Sequence, residues 1–538
     1  MSAGASLGKL PYVVTLAGAG TLAIEMIAPR LLAPAFGTSQ PIWAAVIGMT
    51  LLYLAIGYHL GGRWADGPRG TDPDMVGRII VWAGVATALI APVAPPLISG
   101  ARLALQALEV GSFVGALIIA LILFAAPIIL LAAVSPFVST LAVSVTAPER
   151  VGRVLGRLSM YATMGSLAGT FIAALWLIPL IGTSISLLTI AGLLIVLGVW
   201  AGTQPRRALW LLLVAVLMGW RLINGPAALA AGCQQCTVQQ TIESANNTIQ
   251  VATRPHPIHG MQTLLLLNEG MAVHSVANAD GMRSGNAVDM LTDGGPWDYF
   301  AIAPYVLPRQ QVQSIRKMAM IGSAAGTGTA QFLAIHGPDA EVDAVEIDPA
   351  IVAVARQSFG MNDSQTPNGN PNYRVHVADG RTWLAAQSGT YDIIGVDAYH
   401  QPYIPFHLTT VEFFQMAKQR LNANGALVLN AGLGANGDIR LAQALATTMR
   451  RVFTSVFVLE TSSYGNWMLI GTIAPIGDGA ANFAENYQSM EDPAMRIVME
   501  KTQGFPFLQG DDGSMVLYDD HAPVEQLVDE MIFGTITQ

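Results

Sequence analysis

The chain has 538 residues, of which 52% are hydrophobic and only 12% are charged. Soluble globular proteins average about 25% charged residues, so this length and composition exclude a single soluble domain and a disordered chain. The charge is also uneven, because residues 1–224 hold 12 Lys and Arg against 6 Asp and Glu, whereas the remainder holds 15 against 30. The acidic remainder would repel phosphates, so nucleic acid is not an expected partner.

Apolar runs of about 20 residues are long enough to cross a bilayer as helices, and the first half contains seven of them. They cover residues 12–34, 42–61, 77–99, 113–145, 159–181, 184–203 and 207–224. The first run holds Glu25 and Arg30 and is too long for a cleaved signal peptide. We therefore predict a multi-pass α-helical membrane domain of about seven helices over residues 1–225, in the cell (inner) membrane and with the lipid bilayer as its partner.

Two features of these runs concern packing and polarity. Gly165, Gly169 and Ala173 in the fifth run are spaced as a helix-packing face. Glu25 and Arg30 are charges inside an apolar helix, which indicates either a polar pathway between helices or a buried pair that locks their packing.

Arginines concentrate in the loops after the second, fourth and sixth runs, which the positive-inside rule places in the cytoplasm. A fully spanning seventh run would then put the second half outside. Cys233 and Cys236 fit either side, as a disulfide or as free thiols, and two cysteines alone do not predict a metal site.

From about residue 226 the hydrophobic pattern changes to short alternating segments. Stretches 238–244, 248–253 and 263–268 predict a small antiparallel sheet, followed by a polar loop over 278–296. Strands and helices then alternate, which predicts an α/β Rossmann-like domain with a parallel, doubly wound sheet over residues 301–538. The predicted strands are 318–322, 342–347, 373–377, 393–397, 426–430, 455–459 and 467–471, and the predicted helices are 327–335, 349–358, 411–421 and 438–451.

Residues that suit a nucleoside ligand follow the first four of these strands. A turn with Gly322 and Gly326 opens the first helix, where small residues and free N–H donors allow close approach of a ligand. Glu346 ends the second strand and can accept both ribose hydroxyls, while Asp348 is interpreted as a helix N-cap. Asp379 after the third strand suits either an adenine amino group or an N-cap, and Asp397 ends the fourth strand. Together they predict a nucleoside ligand of the S-adenosylmethionine type.

The glycine turn, the segment Glu346-Ile347-Asp348, the pair Asp379-Gly380 and the stretch 397–414 resemble the polyamine aminopropyltransferases, spermidine synthase among them. Segments 28–37, 60–66 and 151–157 are similar to the membrane-fused relatives of that family. The resemblance implies a small β-sheet domain and lid over 226–300 and a catalytic domain over 301–538. It also implies S-adenosylmethionine or its decarboxylated form as a substrate, with no permanently bound cofactor.

The resemblance implies a role for each matching residue. Glu346 would bind the ribose, and Asp379 with Gly380 would bind the adenine side. The turn of Gly322, Ala325 and Gly326 would contact the nucleoside. Asp397, with Tyr399 beside it, would hold or deprotonate an attacking amine.

The chain departs from the family pattern at several positions. Ala325 and His400 stand where the family has acids, and Tyr299 is followed by Phe300 where the family has a Tyr-His pair. Asn247 and His274 are interpreted as replacements of two substrate-binding glutamines.

These departures leave three functions open. The first is aminopropyl transfer to an amine, and the second is a lyase or cyclase that releases methylthioadenosine without an acceptor. The third is a transporter or sensor regulated by a nucleoside-binding domain. The expected location of the soluble half is cytoplasmic, where S-adenosylmethionine is found, and a homo-oligomer is one arrangement that the sequence leaves open.

Overall fold

The computed structural model describes residues 8–36, 40–68, 72–107, 112–224, 233, 235–244, 246–267, 272–312, 315–399, 403–432, 438–461, 465–502 and 515–533. The chain divides into two compact units, Met1–Ala227 and Ala228–Gln538. The division falls beside the predicted boundary between the membrane half and the acidic half.

The first unit is helical throughout its described residues. Its helices are α1 (Leu10–Phe36), α2 (Gln40–Ala65), α3 (Pro73–Ala107), α4 (Ser112–Val143), α5 (Val151–Ile172), α6 (Ile178–Ala201) and α7 (Trp210–Asn224). Five stretches are long and apolar enough to cross a membrane: Leu10–Ala33, Ile42–Ala65, Asp74–Ile98, Gly115–Val143 and Pro148–Ala201.

The predicted count of about seven spans is therefore not reproduced one for one. The fifth and sixth predicted runs form one 54-residue stretch, Pro148–Ala201, in which Gly182 (φ 74°, ψ 173°) interrupts the helix. The seventh run forms only the 15-residue α7, which is shorter than the roughly 20 residues a crossing requires. Apolar composition alone did not reveal that this last helix is short.

The predicted helix-packing face on the fifth run is confirmed. A Cβ atom on Gly165 would lie 1.9 Å from the carbonyl oxygen of Thr15, and one on Gly169 would lie 2.1 Å from that of Ala19. The backbones of α1 and α5 therefore approach so closely that only glycine fits at these two positions.

The second unit begins with a four-stranded antiparallel sheet in the order β1-β2-β3-β4. Its strands are β1 (Thr237–Glu243), β2 (Thr248–His256), β3 (Gly260–Leu267) and β4 (Val273–Asn278). The first three were predicted. Strand β4 was not predicted. The predicted loop contains the short helix α8 (Ala279–Ser284), and α9 (Pro296–Ile302) begins where that loop ends.

A seven-stranded sheet in the order β10-β11-β9-β8-β5-β6-β7 forms the centre of the unit. The strands are β5 (Lys317–Ile321), β6 (Glu341–Glu346), β7 (Tyr373–Val377), β8 (Tyr391–Val396), β9 (Leu421–Gly432), β10 (Ser455–Glu460) and β11 (Asn466–Thr472). The helices of this region are α10 (Arg309–Val312), α11 (Thr327–His336), α12 (Pro349–Ser358), α13 (Gly380–Ala386), α14 (Val411–Gln419), α15 (Arg440–Arg450), α16 (Gly479–Gln488), α17 (Pro493–Thr502) and α18 (Val524–Phe533).

Strands β5 to β9 pair in parallel, which confirms the predicted Rossmann-like fold. Strands β10 and β11 are antiparallel to each other, and β11 is antiparallel to β9, so the expectation of an all-parallel sheet is wrong at this edge. The chain runs outward from β5 through β6 to β7 and then returns to β8 on the other side of β5. This reversal is a topological switch point, and ligands of open α/β sheets bind beside it.

Candidate functional site

A cleft opens at the carboxyl ends of the central strands, where ligands of open α/β sheets bind. It brings together most of the residues that the sequence analysis selected. Its walls are formed by Asn246, Asn247, Leu267, His274, Ile321, Gly322, Ala324, Val345, Glu346, Ile347, Ile351, Ala378, Asp379, Gly380, Asp397, Ala398, Tyr399, Pro405, His407 and Leu408.

The turn after β5 forms one wall of the cleft. Gly322 has φ +81°, and a Cβ atom there would lie 2.5 Å from Asp397 O and from Ala398 Cα. Glycine is therefore required for the turn to pack against the end of β8. Gly326 (φ +87°) forms the N-cap of α11, where an added Cβ would lie 2.8 Å from the hydroxyl of Tyr373.

Glu346, the last residue of β6, lies at the cleft with 7% of its surface exposed. Its Oε2 accepts the N–H of Ala324 at 2.9 Å, and its Oε1 accepts the N–H of Asp348 at 3.1 Å. Burial raises the pKa of Glu346 to about 7, although these backbone donors work against the rise. The carboxyl therefore gains from any ligand that donates further hydrogen bonds to it.

Asp379 has both of the roles that the sequence left open, because it caps α13 and lines the cleft. Its Oδ1 accepts the N–H of Thr382 at 2.8 Å, and its Oδ2 lies 3.1 Å from Nε2 of His407. Burial raises the pKa of Asp379, but the hydrogen bonds from Thr382 and the interaction with His407 outweigh burial and leave the pKa below its ordinary value.

Asp397 follows β8 directly, between the two halves of the parallel sheet. Its Oδ1 accepts a 2.7 Å hydrogen bond from Nδ2 of Asn430, and the Trp297 side chain also donates to it. Burial raises the pKa of Asp397 to about 6, against the effect of those two donors. At neutral pH the group is an ionised carboxylate whose proton affinity is above normal, which suits a proton acceptor.

The Tyr399 hydroxyl is held by β9, since it donates to Asn430 O at 3.0 Å and accepts the Gly432 N–H at 2.7 Å. Burial and the neighbouring Asp397 raise the pKa of Tyr399. A phenol engaged in this way orients a ring at the cleft and does not act as a base.

Asn247 and His274 both line the cleft, on the side of the small sheet. Nδ2 of Asn247 donates to Oδ2 of Asp348 at 3.0 Å, and Oδ1 of Asp348 accepts the Ala350 N–H at 2.9 Å. The predicted N-cap role of Asp348 is thus confirmed, and the cap also anchors Asn247.

Other selected residues lie elsewhere. Ala325 and Gly326 belong to the turn beneath the cleft, and the Ala325 N–H donates to Oγ of Ser275 at 3.0 Å. Tyr299 is fully buried in the hydrophobic core of the unit. His400 lies outside the described residues.

The sequence analysis did not select Asn430 and Trp297, although both donate to Asp397. Asn430 carries a recognisable signal, because it is a buried polar residue at the end of the apolar segment 426–429. Trp297 precedes the central sheet and carries no such signal, since only tertiary folding brings α9 to the end of β8.

A salt bridge fastens the loop that covers one side of the cleft. Both terminal nitrogens of Arg381 donate to Asp519, at 2.7 and 2.6 Å, and Arg381 also donates to His407 O at 3.0 Å. The Thr410 hydroxyl donates to the same carboxylate at 2.7 Å. The turn that holds Asp519 thus anchors the loop that carries His407 and Thr410.

Comparison with known proteins finds similarity to the spermidine synthases and polyamine aminopropyltransferases. Residues 307–475 match the model of the Spermine/spermidine synthase domain. A probable polyamine aminopropyl transferase of Bifidobacterium longum is 38% identical over 129 residues, which cover 24% of this chain and 27% of that protein. Polyamine aminopropyltransferase 2 of Streptomyces coelicolor is 25% identical over 454 residues, covering 79% of this chain and 67% of that protein.

A third relative, the polyamine aminopropyltransferase of Vibrio vulnificus, is 33% identical over 117 residues, covering 21% of this chain and 37% of that protein. Among solved structures, a probable spermidine synthase from Corynebacterium glutamicum aligns with 18% identity and a TM-score of 0.39, covering 53% of this chain and 97% of that one. The chain thus spans about a quarter to a third of the length of the Bifidobacterium and Vibrio relatives. The C-terminal unit carries a spermidine synthase-like domain, which confirms the family predicted from the strand-end motifs.

Proposed function

We propose that this chain is a membrane-anchored aminopropyltransferase that binds decarboxylated S-adenosylmethionine, transfers its aminopropyl group to an amine and releases methylthioadenosine. The observation that carries the proposal is Asp397, a half-buried carboxylate whose pKa is raised to about 6 and which lines the same cleft as Glu346 and Asp379. The family match over residues 307–475 supports the same reaction class.

The nucleoside would lie along the carboxyl ends of β5, β6 and β7. In this arrangement Glu346 accepts hydrogen bonds from the ribose hydroxyls, and Asp379 accepts one from the adenine amino group. The turn at Gly322 lets the sulfonium lie against the backbone beside Asp397. Opposite charges at close range then orient the methylene carbon for attack.

Asp397 would receive the proton that the attacking ammonium must lose before its lone pair can form a bond. The new C–N bond forms as the C–S bond breaks, and the sulfur leaves as the neutral thioether of methylthioadenosine. A sulfonium is already a good leaving group, so positioning and charge supply most of the acceleration. Asn430 and Trp297 keep the carboxylate pointed at the cleft by donating to it.

A second function is favoured by position 325, in the turn beneath the cleft. Ala325 is buried there, and its N–H donates to Oγ of Ser275 at 3.0 Å. A diamine carries two positive charges, and Ala325 stands where the family resemblance implies an acid. Intact S-adenosylmethionine would need no acceptor if its own carboxylate attacked the γ-carbon, closing a lactone and releasing methylthioadenosine.

Mass spectrometry of methylthioadenosine separates the two reactions. The full chain, purified in detergent, would be incubated with decarboxylated S-adenosylmethionine with and without putrescine, and with S-adenosylmethionine alone. We expect methylthioadenosine and an aminopropylated amine only when the decarboxylated donor and the amine are both present. Release from S-adenosylmethionine alone would assign the cyclase reaction, and no release in any arm would contradict both reactions.

The helices of the first unit support a cytoplasmic catalytic domain. A 54-residue stretch is about 80 Å long as a helix, enough for two crossings of a core about 30 Å thick. The chain would then cross six times and return to the side of the arginine-rich loops, and the 15-residue α7 would not cross. A reporter enzyme that is active only in the periplasm, fused after Gln538, tests this topology. We expect no reporter activity, and activity would contradict a cytoplasmic catalytic domain.

A further inference from the structure

A cluster of two histidines and an aspartate lies on the small sheet, outside the catalytic cleft. His256 ends β2, His259 lies in the turn to β3, and Asp293 lies in the loop before α9. One ligating atom from each residue can be chosen so that all three lie within 4.8 Å of one another. This cluster has no part in the reaction proposed above.

Each imidazole of the cluster lies at an ion-like distance from one oxygen of the Asp293 carboxylate. Nε2 of His256 lies 3.4 Å from Oδ2 of Asp293, and Nε2 of His259 lies 3.3 Å from Oδ1. Two ligand atoms about 2.0–2.1 Å from a tetrahedral zinc ion lie about 3.3 Å apart. Direct charged hydrogen bonds are shorter, at about 2.7–2.9 Å.

His259 provides a second, independent indication. Its side chain is only 9% exposed, and among the described residues its Nε2 makes no hydrogen bond of acceptable geometry. A buried imidazole nitrogen without a hydrogen bond is costly, because it has lost its water and gained nothing in return. The nitrogen points at the carboxylate, where an ion would satisfy it.

The loop that carries Asp293 is held rigidly. The buried carboxylate of Asp298 accepts the N–H of Thr292 at 2.9 Å and the N–H of Gly294 at 2.8 Å, one residue on each side of Asp293. Asp293 itself has a positive φ of 58°, which is uncommon for a residue with a side chain. The backbone position of Asp293 is therefore fixed by hydrogen bonds on both sides, which supports a preformed site.

We propose that His256, His259 and Asp293 bind one divalent transition-metal ion, with zinc as the best match to two imidazole nitrogens and one carboxylate oxygen. The Asp293 side chain is 35% exposed, so water can take the fourth position. The sequence analysis predicted no metal site, although the spacing His256-x-x-His259 was a signal for one.

Local interactions of His256 and Asp293 compete with the ion. Nδ1 of His256 accepts the N–H groups of Ile258 and His259 at 3.4 and 3.3 Å, and binding at Nε2 moves a proton to Nδ1 and breaks both. Both bonds are long. Ile258 is exposed, so water can replace the bond to its N–H. The ammonium of Lys501, 3.8 Å from Oδ1 of Asp293, repels a cation and is the second competitor.

A bound ion would join the β2–β3 turn to the loop that leads into α9. That helix begins at Pro296 and carries Trp297, which donates to Asp397. The inferred role is therefore structural, since the ion would fix the start of the helix whose indole contacts the catalytic cleft. It supplies no reacting group.

The test uses the full chain in detergent, purified without a polyhistidine tag, stripped with a chelator and titrated with Zn²⁺ or Co²⁺. We expect one equivalent per chain and, for Co²⁺, the intense visible absorption of a tetrahedral site. His259→Ala and the isosteric Asp293→Asn should each weaken Zn²⁺ binding about 100-fold or more, since even residues behind the ligands are worth 10- to 100-fold.

Two control variants define specificity. Lys501→Met removes the competing ammonium and should tighten Zn²⁺ binding several-fold. Asp280→Asn removes a nearby surface carboxylate that pairs with Arg283, and it should leave Zn²⁺ binding unchanged. Binding that is absent in the wild-type chain, or equal in the wild type and Asp293→Asn, would overturn the proposal.

Discussion

The side-chain amide of Asn430 donates a 2.7 Å hydrogen bond to Asp397, joining the ends of the neighbouring parallel strands β9 and β8. Oδ1 of the same amide accepts from Nδ2 of Asn466 at 2.8 Å, so the amide is oriented with its donor toward the carboxylate. The amide of Asn430 lowers the pKa of Asp397, which burial would otherwise raise further.

Replacing Asn430 should therefore shift the pH dependence of catalysis. In Asn430→Ala the pKa of Asp397 loses one of the two donors that lower it, so the acid limb of the rate profile moves up by about one pH unit. The measurement is the rate of methylthioadenosine release from pH 5 to 9. Asn422→Ala removes an Asn–Asp hydrogen bond at the opposite end of β9 and should leave the limb in place. An unshifted limb in Asn430→Ala would show that Asp397 is not the titrating base.

Asp397→Asn should abolish turnover while making the unit more stable. The folded protein holds this carboxyl at a pKa of about 6 against 3.8 in a model peptide, so ionising it at neutral pH opposes folding. Neutral Asn removes that cost, and we expect a gain of about 1–3 kcal/mol at pH 7.5. Thermal unfolding measures it, with the surface variant Asp520→Asn as the control. A loss of stability would contradict the assignment of Asp397 as a strained, functional carboxylate.

The stabilising contribution of Glu346 and Asp397 should fall as pH rises from about 4 to about 7. Glu346 and Asp397 have folded-state pKa values of about 7 and about 6, above their model values of 4.5 and 3.8. Their contribution to stability is complete below pH 4 and is lost as pH rises through the folded values. Unfolding measured across this range should show the wild type losing stability relative to the double variant Glu346→Gln, Asp397→Asn. Parallel curves would be the contrary result.

Gly322→Ala should lower the free energy of unfolding by more than the positive φ of Gly322 alone explains. The new methyl group would meet Asp397 O and Ala398 Cα at 2.5 Å, so β5 and β8 must separate at the cleft. We expect a loss of about 3 kcal/mol or more and failure to bind the nucleoside. Gly285→Ala is the matched control, with φ +65° and nothing within 4 Å, and should cost about 1–2 kcal/mol. Calorimetry and nucleoside binding measure both variants, and equal losses would contradict the argument from close approach.

Breaking the Arg381–Asp519 salt bridge should affect substrate binding more than stability. The side chains are 21% and 41% exposed, so Asp519→Ala should cost less than about 1 kcal/mol of stability. The loop holding His407 and Thr410 loses its anchor, and KM for the nucleoside donor should rise several-fold with little change in kcat. Asp280→Ala breaks a surface pair with Arg283 and serves as the control. A fall in kcat at constant KM would instead point to a role in the chemical step.

Local chemistry at strand ends allowed much of this site to be predicted. The positions of Glu346, Asp379 and Asp397 follow from buried runs ending in an acid, because parallel strands bring their carboxyl ends to one edge. The antiparallel pairing of β10 and β11 could not be predicted, since the sequence of a short apolar strand does not indicate its direction within the sheet. Trp297 and Asp519 were unpredictable as site neighbours for a different reason, because each reaches the cleft from a distant part of the chain.

The salt bridge to Asp519 also bears on where the functional domain ends. The family match stops at residue 475, yet the carboxylate that anchors Arg381 and Thr410 lies well beyond it. An expression fragment limited to residues 307–475 would keep all seven strands of the central sheet. It would lose Asp519, which anchors the loop that carries His407 and Thr410. Such a fragment would therefore be a poor measure of what the whole chain can bind.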